Sequence, residues 1–191
     1  LSTAQMKGRI TTPEAEATLE ERSEVVVAYD QEAGTGSFTS FRGGLKVASE
    51  DGSVRTVGEL EKIVQTEGGS LSEIMSLPDA PTLQRPVDNL EFLLGSTDAI
   101  ELSWEQIKNA SSYALQVSQS RFFVDNIIDV EGRKKTSAKI GLRGEGVFVW
   151  RVAAHNSDGE RGPWSTIHRF RVGSAESESP DAQNTSPNQG G

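Results

Sequence analysis

Three stretches of the chain alternate apolar and polar residues with a period of two. Ile100, Leu102 and Trp104 share one face in "AIELSWE", Tyr113, Leu115 and Val117 in "YALQV", and Phe148, Trp150, Val152 and Ala154 in "FVWRVAA". Successive strand side chains point to opposite faces, so the pattern predicts half-buried antiparallel strands. Turn signals at "EGR", "RGEG" and "NSDGERG" separate these runs at the spacing of a small sandwich. The first third behaves similarly: Ala15, Ala17 and Leu19 alternate, as do Val25, Val27 and Tyr29, and "GTG" supplies a flexible loop. Helical periodicity is confined to "VGELEKIVQTEGGSLSEIM", where glycines 58, 68 and 69 interrupt it, leaving at most a turn or two of helix around Ser70 to Met75. The expected class is all-β.

The same phase sorts side chains into core and surface. Trp104 and Trp150 point inward, Trp104 facing Trp150 and Tyr113 across two sheets, while Val149, Arg151, Ala153 and His155 point outward. Counting six residues on from inward Val117 gives a buried Phe123 and an exposed Phe122. Trp164, in the "GPWS" turn that starts the final strand, is expected on the outer face within reach of the Arg151 guanidinium. Arg151, Trp164 and Phe122 are therefore the candidate surface-interaction residues.

Composition divides the chain. Three prolines fall in "SLPDAPTLQRP", and proline removes backbone donors and holds its predecessor extended, so residues 77–86 read as a linker running into an edge strand. The last eighteen residues, 174–191, carry alanine as their one apolar type and are expected to be a disordered tail. Residues 1–76 form the first unit and residues 79–173 the second.

The formal charge of −9 is concentrated at the start, where residues 1–76 hold 7 basic and 13 acidic side chains; residues 77–173 hold 12 of each. Neither unit has the basic surplus that a nucleic-acid backbone attracts, and "GRKK" reads as a solvated turn. With no cysteine, disulfides and thiolate metal sites are excluded. His155 and His168 lack the further ligands of a zinc site, and Asp125, Asn126 and Asp129 lack the spacing of a calcium loop, so no metal or other cofactor is expected. No serine sits in a nucleophile elbow and no carboxylate in an apolar run, so no catalytic residue is expected. No apolar run is long enough to span a bilayer, and the start at Leu1, without signal-peptide features, reads as a processed product or an excerpt.

Residues 79–173 resemble a bacterial fibronectin type III domain. The landmarks, in order, are "APTLQRP", "IELSW", "YALQVS" and "WRVAAHN", with "GPWS" and "FRV" as the last two strands. Leu142 stands six residues before Phe148, where the family places a corner tyrosine. The phenylalanine implies a corner held by packing alone. Residues 6–70 are similar to the later part of a FecR domain through "GRITTPEAEATL", "VVVAYD", "FRGGLKV", "DGS" and "VGE", although "EERS" stands where that family has a Gly-Thr pair. That resemblance implies missing strands before Leu1. Together the two imply a periplasmic or extracellular bacterial protein made of a partial FecR-like β-domain and an immunoglobulin-like sandwich.

Three functions suit such a chain. The first is a non-catalytic binding or scaffold protein of the cell envelope, whose partner is an envelope protein or a peptidoglycan or other polysaccharide. The second is a periplasmic signalling regulator of the FecR type, and the third is a pair of accessory modules from a carbohydrate-active enzyme.

Overall fold

The computed structural model describes residues 8–95, 99–141 and 144–174. The expected tail, the Leu142 corner position and the beginning of the chain lie outside or partly outside these residues.

Eight strands build the first sandwich: β1 (Arg9–Thr11), β2 (Ala15–Leu19), β3 (Glu24–Asp30), β4 (Thr35–Arg42), β5 (Leu45–Ser49), β6 (Val54–Val57), β7 (Glu61–Gln65) and β8 (Met75–Ser76). They form two antiparallel four-stranded sheets, ordered β1-β2-β5-β6 and β3-β4-β7-β8. Between the sheets lie Ala15, Ala17, Phe38, Leu45, Val47, Val57 and Ile63, with Val25 and Val27 packed against them. The expected alternation in β2 and β3 is thus a core-facing phase.

Two local expectations are corrected. "GTG" is the end of a hairpin, because Asp30 pairs with Thr35 and Asp30 Oδ1 accepts bonds from the Glu32 and Ala33 amides at 2.9 and 3.0 Å. The turn therefore precedes Thr35, and Gly36 belongs to β4. Residues 70–75 are not helical: Gly68 and Gly69 adopt left-handed φ values of 83° and 85°, Leu71 bridges to Gln65, and Met75 pairs with Lys62. Two left-handed glycines reverse the chain more readily than they start a helix, and the reversed segment finds its backbone partners along β7.

The second sandwich comprises β9 (Leu83–Arg85), β10 (Leu90–Leu93), β11 (Ile100–Trp104), β12 (Ser112–Ser118), β13 (Asn126–Arg133), β14 (Ser137–Ile140), β15 (Gly146–His155) and β16 (His168–Gly173). A three-stranded sheet, β14-β11-β9, faces a five-stranded one, β10-β16-β15-β12-β13. This three-against-larger arrangement, antiparallel except where β10 joins β16, is the fibronectin type III-like, immunoglobulin-like sandwich, and the chain is all-β. Trp104 and Trp150 are both buried in its core, and Trp104 meets Tyr113 edge-on at 5.7 Å across the sheets.

Strand β10 departs from the expected landmarks. After Pro86 the chain leaves β11 and crosses to the opposite sheet, where β10 runs parallel to β16 with Phe92 edge-on to Phe170 at 5.8 Å. "GPWS" is not a strand either, since β16 begins only at His168. Gly162 N and Ser165 N nevertheless donate to Ala154 O and Val152 O, so this stretch follows β15 without regular pairing. Proline at position 163 lacks the donor that a regular ladder needs.

The start of the connection is tied to both sandwiches. Leu77 N bonds Leu60 O at 2.8 Å, Asn156 Nδ2 bonds Ser76 O at 3.0 Å, and Lys62 Nζ pairs with Glu160 Oε2 at 2.7 Å. Gly162 lies so close to the connection that a Cβ there would stand 2.1 Å from Pro78 O.

Candidate functional site

The outer face of the five-stranded sheet collects the residues singled out by their phase. Register sets Gln116 beside Arg151 on one neighbour and beside Asp129 on the other. Three bonds run along that row: Arg151 Nε to Gln116 Oε1 at 2.9 Å, Gln116 Nε2 to Asp129 Oδ2 at 3.1 Å, and Asn126 Nδ2 to Asp129 Oδ2 at 2.8 Å. Asn126 and Asp129 therefore belong to a side-chain network on β13, while Asp125 lies in the turn before it, its backbone O accepting from Ser118 Oγ.

Above this row the guanidinium is enclosed. Arg151 Cζ lies 4.0 Å from the Phe123 ring centroid and 4.3 Å from that of Trp164, and Arg161 Cζ lies 4.7 Å from Trp164. Phe123, Arg151, Trp164 and Arg161 thus alternate aromatic and cationic groups, an arrangement in which the ring quadrupoles favour the positive charges. Burial and the nearby Arg161 draw the Arg151 pKa below its ordinary value, while Asp129 opposes them. Arginine still stays charged, because its reference value is so high. The Arg151–Trp164 contact is as the outward phase predicts, and it engages Arg151 within the fold.

Phe123 is buried as the alternation predicts, but against the outer face of the sheet. It is 7% exposed against 75% for Phe122, the expected order. Its ring, however, lies on Arg151 at the outer face and not within the core cluster. Phe123 belongs to no strand; it takes a left-handed φ of 53° in a turn closed by its amide on Ser120 O at 3.0 Å. Two hydroxyls brace that turn: Ser118 Oγ donates to Asp125 O at 2.8 Å and accepts from Ser120 N at 3.1 Å, while Ser120 Oγ accepts from Phe122 N at 3.3 Å. With Phe123 turned down, its neighbours point out, Phe122 at 75% and Val124 at 77% exposure. Arg121 reaches back over the Phe122 ring at 5.6 Å. The sequence marked Phe123 as buried but not its contact with Arg151, and it gave no signal for Val124 or Arg161.

The histidines stand apart in chemistry. His155 Nε2 approaches Glu131 Oε2 at 3.5 Å, whereas the His168 ring lies edge-on to Trp150 and its Nδ1 faces Pro86 O at 3.3 Å. Among the described residues no three His, Asp or Glu side chains gather as metal ligands.

No protein-family model matches the chain, and no curated protein does. Among solved structures, it is similar to a Fn3-like protein from Clostridium thermocellum at 20% identity, covering 53% of this chain and 99% of that one with a TM-score of 0.40. It is also similar to the fibronectin type-III domain of human fibronectin type III domain containing protein 3, at 18% identity, 57% and 98% coverage, and a TM-score of 0.38. A β-1,2-glucanase from Parabacteroides distasonis aligns at 15% identity over 69% of this chain and 17% of its own, with a TM-score of 0.39. These are likenesses of fold, and the chain spans under a fifth of the glucanase.

Proposed function

We propose that this chain is a non-catalytic, extracytoplasmic binding module of a bacterial envelope, and that it grips its partner through the loop presenting Phe122 and Val124. The observation that carries this reading is the downward anchoring of Phe123, which holds two large apolar side chains in water at a loop tip. A bulky residue in the left-handed region costs about 1 kcal/mol or more, and such cost is tolerated where surrounding contacts fix it. A rigid, exposed aromatic beside an aliphatic group is the composition of an interaction anchor, and loops on a rigid scaffold are where such anchors sit. Nothing in this mode of binding requires a nucleophile or a metal.

The bacterial periplasm or exterior as location, and an envelope protein or peptidoglycan or other polysaccharide as partner, rest on the FecR and fibronectin resemblances of the sequence. The test is retention of envelope material. The chain is incubated separately with insoluble sacculi and with solubilised envelope proteins, beside an unrelated acidic β-sandwich and the variant Phe122→Ser/Val124→Ser. Retention by the parent chain in one arm, lost in the double variant, is expected. Recovery no better than the acidic control in both arms overturns the proposal.

A further inference from the structure

A second feature of the same sheet lies away from that loop, where β10 joins β16. Two adjoining hollows of about 200 and 620 Å³ open on the outer face there, and both are bordered by Glu91 and Arg171. The rows beneath them follow from register: Glu91 stands beside Arg171, which stands beside Val147, and Leu93 stands beside Gly173. Inward Phe92 packs on Phe170, so the alternate residues Glu91, Leu93, Arg169 and Arg171 face outward. We propose that this cleft binds a neutral saccharide.

Three observations carry the assignment. First, Glu91 and Arg171 are cross-strand neighbours of opposite charge, yet among the described residues no ion pair joins them. Both residues line the cleft, and a carboxylate accepts from hydroxyls while a guanidinium donates to them, the complementary set that a vicinal diol satisfies. Second, the lining charges cancel, with Arg169 and Arg171 against Glu91 and Glu145, so the cleft favours neither an anion nor a cation. Third, exposed apolar surface flanks these groups, Val147 at 46% and Leu93 at 54%, where the C–H face of a sugar ring can rest. Arg169 is held in place, its Nε bonding Asn89 Oδ1 and its backbone N bonding Asp88 Oδ1 at 2.8 Å. Gly173 borders the wider hollow, and no atom lies within 4 Å of where a Cβ would stand.

The cleft and the Phe122 loop are separate surfaces, so either proposal can fail alone. The test is an amide-resolved NMR titration of the full chain with cellotriose and N,N′,N″-triacetylchitotriose as neutral probes and trigalacturonate as an anionic one. Saturable shifts with a neutral trimer, confined to residues 89–93, 145–147 and 169–173, are expected. Arg171→Ala and Glu91→Gln each weaken that binding at least tenfold, with the spectrum elsewhere unchanged. Gly173→Gln, which leaves every polar group in place and fills the hollow, weakens it similarly. Absence of saturable shifts at the solubility limit of both neutral trimers, shifts that persist undiminished in Arg171→Ala, or tighter binding of trigalacturonate overturns the proposal.

Discussion

At the scale of single residues, Arg151 shows how one outward position acquires several partners. Its phase follows from the alternation of "FVWRVAA", and its contact with Trp164 follows from the nearness of the "GPWS" turn. Its second aromatic partner, Phe123, could not be read that way, because the strand ends at Ser118 and the turn that follows leaves Phe123 itself at a left-handed φ. Arg151→Ala removes two cation–π contacts and the bond to Gln116, and is expected to cost about 1–3 kcal/mol in urea denaturation followed by tryptophan fluorescence. Arg151→Lys keeps the charge and loses the planar fork, so it is expected to recover less than half of that cost. A neutral outcome for Arg151→Ala means that the stack contributes nothing measurable. In the core, Trp104→Ala is expected to destabilise the second sandwich by about 3–5 kcal/mol, through lost burial and the cavity left against Tyr113. A loss below about 1 kcal/mol contradicts its place between the sheets.

At the scale of elements, the loop between β12 and β13 is anchored by a buried ring, Phe123, between two exposed neighbours. Phe123→Ala leaves Phe122 and Val124 in the chain but frees the turn that presents them. Faster amide exchange over residues 119–125, and reduced retention of envelope partner with Phe122 intact, are the expected results. Unchanged exchange means that the serine bonds alone hold the loop. The same scale explains the misread segments. Residues 70–75 have local helical character, yet two left-handed glycines and free backbone groups along β7 make a returning strand the better solution. β10 has no clear alternation and two leucines exposed, so only its parallel pairing with β16 identifies it.

At the scale of the whole molecule, the connection is not a free tether. Lys62–Glu160, Asn156–Ser76 and the approach of Gly162 to Pro78 O join the loop after β15 to the end of the first sandwich. Because the added Cβ of Gly162→Ala meets backbone, which cannot rotate aside, the connection must move. The expected outcome is a shift of the amide resonances of Ser76, Leu77 and Asn156 and a broader distribution of interdomain distances in solution scattering. A Gly162→Ala spectrum that overlays the parent's contradicts the close approach.

What the sequence alone determined was the set of facts that depend on neighbouring positions. Period-two alternation put Trp104, Trp150 and Tyr113 in one core and Arg151 on its outside, and the order of landmarks indicated a fibronectin-like sandwich, because a strand's two faces are separated by its own geometry. The FecR resemblance of the first sandwich remains a matter of its sequence. Only the tertiary structure decided which distant groups meet: Phe123 over Arg151, Glu91 beside Arg171, Lys62 against Glu160. Those meetings depend on register between strands, on left-handed turns and on crossings between sheets. Each is settled by the packing of residues far apart in the chain, and no local pattern of apolar and polar positions encodes it.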